Sequence, residues 1–163
     1  MIKLRPVTTE DITEIKKWPA YANDFKQMDY ALRENGWLDE FSNRPDTWIY
    51  IAEINKQIVG FSLINITADG DAEFRIAIHP HRIRTGLGRK IALSTLKNGF
   101  GELDLDIIRL IVRKTNHPAR RLYESLGFAM IGESVHLIQG KQIEFIDMEI
   151  TGRRFNNLNF ERK

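Results

Sequence analysis

The chain has 163 residues, of which 42% are hydrophobic and 28% charged, the make-up of a single domain over 1–163 that buries a core without staples. A net charge of +2 is too mild to argue for nucleic acid, and no zinc-finger, helix-turn-helix or RNA-recognition signature accompanies it. Cysteine is absent, which removes disulfides, thiolate metal sites and every mechanism with a cysteine nucleophile.

Residues 2–7 alternate apolar and polar side chains and read as a short strand ended by Pro6. Thr8-Thr9-Glu10-Asp11 has the form of a helix entry, with Ile12, Ile15 and Trp18 at helical spacing and Pro19 as the stop. A second helical stretch over 21–34 aligns Phe25, Met28, Ala31 and Leu32 on one stripe. Residues 35–46 carry Gly36, Ser42, Asn43 and Pro45 and read as loop around a brief helical piece. Strands over 48–54 and 57–64 flank Asn55-Lys56 as a hairpin, and a polar turn over 67–71 leads to another strand over 72–78.

A helix over 87–98 follows, with Leu87, Ile91, Leu93 and Leu96 as its buried positions. The apolar run of 107–112 suits a strand covered on both faces, and strand, helix and strand together form a βαβ unit with parallel strands. Asn116 is placed to cap the next helix and Pro118 lies in its first turn. Ala119, Leu122, Tyr123 and Leu126 give that helix an apolar stripe, and Gly127 stops it. Strands near 128–134 and 142–150 flank a turn at Gln139-Gly140, an exposed edge there being able to pair with a second copy; the tail after Thr151 has no readable pattern. Nothing approaches about eighteen consecutive apolar residues, and residues 1–10 lack the apolar region of a signal peptide. A cytoplasmic location with no membrane partner is the expectation.

The stretch from His79 to Lys90, His-Pro-His-Arg-Ile-Arg-Thr-Gly-Leu-Gly-Arg-Lys, joins strand to helix with cations massed at the helix start. Cations oppose the partial positive charge of a helix N-terminus, so the arrangement makes sense where an anion sits among them. Gly86 and Gly88 let backbone N–H groups approach such an anion closely. A solvated turn is the plainer reading of the same residues. The four histidines, His79, His81, His117 and His136, show no close metal-ligand spacing, so His79 and His81 read as loop side chains and no metal is expected.

As a set, the strand, the Gly86-x-Gly88 turn, the helix, the strand and then Asn116-x-x-Ala119-x-x-x-Tyr123-Glu124-x-x-Gly127-Phe128 resemble the GNAT superfamily of N-acetyltransferases. The motifs are densest over 72–135 and the element order fits over 2–150. The resemblance implies an α/β acyl-CoA N-acyltransferase fold: a central, mostly antiparallel mixed sheet flanked by helices, with a splayed parallel strand pair at the cofactor groove. It also implies acetyl-CoA as cosubstrate. On this reading its pyrophosphate is held by the backbone of Ile83, Arg84, Thr85, Gly86, Leu87, Gly88 and Arg89. Ile83 departs from the Gln or Arg usual there, with Arg82 or Arg84 beside it to supply charge. The strand residues Ile76, Ala77 and Ile78 would meet the pantetheine, with an N–H near Ala77 or Ile78 facing the thioester oxygen.

Asn116 and Ala119 occupy the family's pantetheine-side positions, and capping is compatible with contact for Asn116. Tyr123 is the expected general acid, since a phenol is still protonated at neutral pH and can donate to a leaving thiolate. It also fits a core aromatic on the Ala119 stripe. For the base, Glu73 and Glu53 are the candidates, with water or no dedicated base as the alternative. Between Tyr21 and Asp46, Asp24, Asp29, Glu34, Asp39, Glu40 and Asp46 outweigh Lys26, Arg33 and Arg44, which suits a cationic amine or merely a solvated face.

The function implied is acetyl transfer from acetyl-CoA to a primary amine by direct attack in a ternary complex, by a monomer or homodimer. The amine is a small molecule, a polyamine or a peptide N-terminus. A CoA-binding sensor without turnover is the alternative. A nucleotide-binding protein is disfavoured by the lack of Gly-x4-Gly-Lys-Ser/Thr and of a full Gly-x-Gly-x-x-Gly.

Overall fold

The computed structural model describes residues 1–22, 26, 28–30, 32 and 36–158. Its strands are β1 (Lys3–Pro6), β2 (Thr47–Ile54), β3 (Gln57–Ala68), β4 (Asp71–Ile78), β5 (Ile107–Arg113), β6 (Ala129–Ile138) and β7 (Lys141–Thr151). Its helices are α1 (Thr9–Ile15), α2 (Trp37–Phe41), α3 (Leu87–Phe100), α4 (His117–Ser125) and α5 (Gly152–Asn157). Of the stripe expected over 21–34, Leu32 is buried and Met28 packs against the core, whereas Phe25 and Ala31 lie outside the described residues, as do Asp24, Arg33 and Glu34.

Local chemistry accounts for several boundaries. At α1, Thr8 Oγ1 accepts from Asp11 N (3.3 Å) while Asp11 Oδ2 accepts from Thr8 N (2.8 Å), a reciprocal cap. Asn55 and Lys56 have φ of 50° and 67°, the paired left-handed residues of a tight hairpin turn between β2 and β3. β3 runs to Ala68, so the turn expected over 67–71 shrinks to Asp69-Gly70. The unread tail becomes α5, capped by Thr151 and seated by Phe155 on Phe100 (5.3 Å between ring centroids).

The seven strands form one sheet in the order β1-β2-β3-β4-β5-β7-β6. Every junction is antiparallel except β4–β5. Alternation along β3 turns Ile64 toward α3, in a cluster with Phe74, Leu96, Ile108 and Leu126, and turns Phe61 and Leu63 toward α1 and α2, with Ile15, Leu38 and Phe41. β3 is thus the strand covered on both faces, not β5. On β5 only Ile108, Leu110 and Val112 are buried, while Arg109 and Arg113 lie on the other face, which is charged and half-open. Leu93 on α3 is likewise half-buried, and Ala92 and Thr95 fill the core positions beside Leu96. β6 is an edge strand exposing Met130, Ile131, Val135 and Leu137. Among the described residues, no helix is long and apolar enough to cross a membrane.

The decisive feature for a site is how short the β4–β5 pairing is. It holds only Asp71–Glu73 against Ile107–Arg109, although β4 continues to Ile78 and β5 to Arg113. The closed end is pinned by Asp106 N and Ile107 N, both donating to Gly70 O (2.8 and 3.1 Å). Beyond Glu73 the strands part and leave a wedge-shaped gap.

Candidate active site in the strand gap

A cavity of about 400 Å³ occupies the gap, a size suited to a small-molecule site. Ile76, Ala77 and Ile78 line one wall, and Ile111, Val112 and Arg113 the other. A smaller cavity of about 170 Å³ adjoins it toward α2 and shares Trp37, Ile76, Ile111, Arg113, Tyr123 and Phe145 with it. Tyr123 therefore stands where the two spaces meet.

Beyond Glu73 the β4 wall has no β5 partner among the described residues. His79 N donates to Val59 O (2.9 Å), so by the two-residue alternation of an antiparallel ladder Ala77 also turns its N–H toward β3. Ile76 and Ile78 then turn theirs toward the gap. Of the two amides expected to face a thioester oxygen, Ile78 is the one so directed; Ala77 lines the cavity with its side only. Tyr21 fixes this end of β4 by donating from its hydroxyl to Ile78 O (2.6 Å).

The turn into α3 is a chain of unusual backbone. Arg84 has φ 63° and Gly86, the helix N-cap, has φ 83°, with no side chain capping the first turn. Positive-φ residues so close together make a concave run of N–H groups that suits an anion. No atom lies within 4 Å of a Cβ built on Gly86, so its glycine answers to conformation. A Cβ on Gly88 meets Leu122 Cδ2 at 3.5 Å, an ordinary contact. Nothing in the packing requires glycine at 88, and without a Cβ the backbone there can be approached closely.

Arg82, Arg84 and Arg89 border the cavity, and Arg89 Nη1 donates to Ser125 Oγ (3.0 Å), tying α3 to α4. Ile83 turns into the apolar cluster under α1 and α2, and Leu87 is buried beside Ile91. Thr85 is exposed, its hydroxyl donating to Arg82 O (2.5 Å). The side chains of Leu87 and Thr85 help hold the turn, and neither residue lines the cavity.

Asn116 Oδ1 accepts from Ala119 N (3.3 Å) as the cap of α4, and Asn116 and Ala119 both line the cavity. Tyr123 is buried, with 9% exposure, and its ring stands edge-on to Phe74 and Phe128. Its hydroxyl takes no hydrogen bond within the described residues, yet no sealed side-chain polar atom there lacks a partner. The hydroxyl must therefore open onto the cavity. Burial pushes this phenol well above its ordinary value and keeps it protonated.

The two carboxylates expected as bases lie elsewhere. Glu53 Oε1 binds Arg5 Nε (2.9 Å) on the far side of β2, and Arg5 in turn grips Asp11 (2.6 and 2.8 Å). Glu73 binds Arg75 Nε (2.8 Å), whose guanidinium lies over the Phe41 and Trp37 rings. Among the described residues no Asp or Glu lines either cavity, and no group of three or more His, Asp or Glu is placed to hold a metal. Trp37, Arg113 and Phe145 were not singled out from sequence. Alternation on β5 puts Arg113 on the face opposite Val112, which was a usable signal for it. Phe145 depends on a β5–β7 register that no local pattern reveals.

The sequence pattern of the acetyltransferase (GNAT) family matches residues 9–128. The chain is 28% identical over 145 residues to the spermidine N(1)-acetyltransferase of Escherichia coli K12, covering 83% of this chain and 76% of the relative. It is 27% identical over 135 residues to the 5-NmdU N-acetyltransferase of Pseudomonas phage PaMx11, covering 82% and 89%. The crystal structure of a Vibrio cholerae spermidine N-acetyltransferase, in complex with CoA and spermine, superposes with a TM-score of 0.78 at 24% identity over 96% of this chain and 98% of that one.

Proposed function

This chain belongs to the acetyltransferase (GNAT) family, an acetyl-CoA-dependent N-acetyltransferase, and we propose that its strand gap carries out the transfer with Tyr123 as general acid. The observation that carries this reading is the lone Tyr123 hydroxyl opening at the junction of the two cavities. The larger cavity, with the Gly86–Gly88 turn at one end and the free β4 amides along one wall, fits the phosphates and extended arm of acetyl-CoA. The smaller one, on the α2 side, fits the acceptor amine.

In the reaction the neutral amine nitrogen bonds to the thioester carbon, and charge builds on the carbonyl oxygen near the Ile78 N–H. The carbon–sulfur bond then breaks, the thiolate takes the Tyr123 proton, and the amine's surplus proton passes to water, from which Tyr123 regains a proton before the next turnover. Burial raises the phenol, but it raises a thiolate in the same dry gap as well, so the transfer is not made uphill by burial alone. Asn116 and Ala119 position the arm, and the backbone of Ile83 to Arg89 positions the phosphates. Because Glu53 and Glu73 are held by arginines, we assign neither as the base; Glu73 instead holds Arg75 in place. The relatives named for spermidine support a primary amine as acceptor.

Mixing the protein with acetyl-CoA and a panel of small amines, polyamines and peptides, and following free-thiol release, tests the reading. Release that depends on both the amine and Tyr123 is expected. Tight acetyl-CoA binding without release on any amine would count for a sensor and against transfer.

A further inference from the structure

β5 carries two arginines on the same face, and they differ in one respect. Arg109 is neutralised on both sides, by Asp71 (2.9 Å) and by Glu149 (3.1 Å), the residue facing it on β7. Arg113, one β-repeat pair further on, faces Phe145 across the same junction. It makes no ion pair or side-chain hydrogen bond within the described residues, and burial pushes its guanidinium below the ordinary value. A cation half-removed from water without a carboxylate is a standing loss unless something else meets it. Arg113 also lines both cavities, on the wall that faces β4 across the gap. Arg113 stands four residues beyond Arg109, the last β5 residue paired with β4, where the two strands have parted.

The rest of the acceptor space points the same way. Its other charged lining residue among those described is Arg75, already paired with Glu73, and its walls include Tyr30, Trp37, Ile138 and Phe145. Of the described acids of the segment before β2, Asp29 accepts from Tyr21 N, Asp39 pairs with Lys16, Glu40 pairs with Arg44, and Asp46 meets the Thr47 hydroxyl; none of the four lines either cavity. Among the described residues the charges lining this space are both positive, which favours an anion beside apolar groups over a polycation.

We propose that the acceptor is a primary amine bearing a carboxylate a few bonds from the nitrogen, and that Arg113 receives that carboxylate. The proposal rests on the transfer reading above. A planar guanidinium takes a carboxylate through two parallel N–H···O bonds, which fixes the amine's direction as well as its charge. The carboxylate enters the gap from the α2 side, leaving the nitrogen facing the thioester wall between Ile76 and Ile78.

The test uses matched pairs with acetyl-CoA: phenylalanine and phenylalaninamide, leucine and leucinamide, with spermidine alongside. Removing the carboxylate makes the amine less basic and raises its neutral fraction, so intrinsic reactivity favours the amides. We expect the wild type to reverse that order, with kcat/KM at least about tenfold higher for the acids, equivalent to about 1.4 kcal/mol. In Arg113→Gln the ratio falls to about one or below while KM for acetyl-CoA stays unchanged, and Arg113→Lys keeps part of the preference. Arg109→Gln, which breaks a purely structural pair, leaves the ratio intact. Calorimetric titration of the CoA-loaded protein with the same pairs reads the preference where turnover is slow, and acids binding no tighter than amides overturns the proposal. Preference for the amides or spermidine, a ratio that survives Arg113→Gln, or a rise in KM for acetyl-CoA instead overturns it and leaves the transfer reading standing. Thiol release with none of these amines counts against both.

Discussion

Tyr123→Phe separates chemistry from folding because the hydroxyl it removes has no partner within the described residues. No hydrogen bond is lost, and the ring keeps its edge contacts with Phe74 (6.3 Å) and Phe128 (5.8 Å). The change in unfolding free energy is therefore expected within about 0.5 kcal/mol, read by urea denaturation. Loss of a positioned general acid lowers kcat by about 10²–10⁴-fold, equivalent to about 3–5.5 kcal/mol on the barrier. Thiol release under saturating acetyl-CoA measures it, with KM for acetyl-CoA little changed. A thioester of a more acidic thiol needs less proton donation, so with that donor the defect shrinks. In the wild type, kcat/KM rises with pH as the acceptor amine loses its proton. It shows no fall from Tyr123 below about pH 10, since burial holds the phenol above its ordinary value. An unchanged kcat, a defect confined to KM, or a loss of stability as large as the loss of activity would refute the assignment.

Arg5 holds the buried Asp11 carboxyl down at about 2, from 3.8, which amounts to about 2 kcal/mol of stability. The unfolded chain binds the Asp11 proton first on acidification, so this contribution is complete above about pH 5, falls through about pH 4 to 2 and is gone near about pH 1; Asp11→Asn removes it and flattens the acid limb of a stability–pH profile. Gly88→Ala places its Cβ in ordinary contact with Leu122, so helix propensity adds about 0.5–1 kcal/mol of stability, seen as a higher melting temperature, while KM for acetyl-CoA rises. Gly86→Ala, at φ 83°, loses about 1–2 kcal/mol of stability and acetyl-CoA affinity together, both visible in one thermal-shift titration with CoA. Thr95→Val leaves the buried Ser62 hydroxyl without its 2.6 Å partner, lowering stability by about 1–3 kcal/mol in denaturant, and adding Ser62→Ala restores part of it.

What could be read from the sequence was what local rules decide. The Thr8–Asp11 cap, the Asn55-Lys56 turn, the glycines at 86 and 88 and the Asn116 cap each depend on neighbours a few residues away, and each is in place. The base candidates show the opposite case. Glu73 has Arg75 two residues on, on the same face of the strand, so that pairing was visible in the period of two. Glu53 is held by Arg5, a partner 48 positions away that only the β1–β2 register brings near. The same reasoning governs the arginines of β5. Arg109 and Arg113 are alike in type, face and strand, and nothing within 107–113 distinguishes them. What separates them is the residue that β7 sets opposite each, Glu149 against one and Phe145 against the other. β7 reaches β5 by passing inside β6, so a strand late in the chain decides which arginine is structural and which is left with its charge uncompensated at the mouth of the gap. A carboxylate at 145 would convert Arg113 into a second Arg109. Phe145→Glu should accordingly abolish any carboxylate preference while the guanidinium itself remains in place.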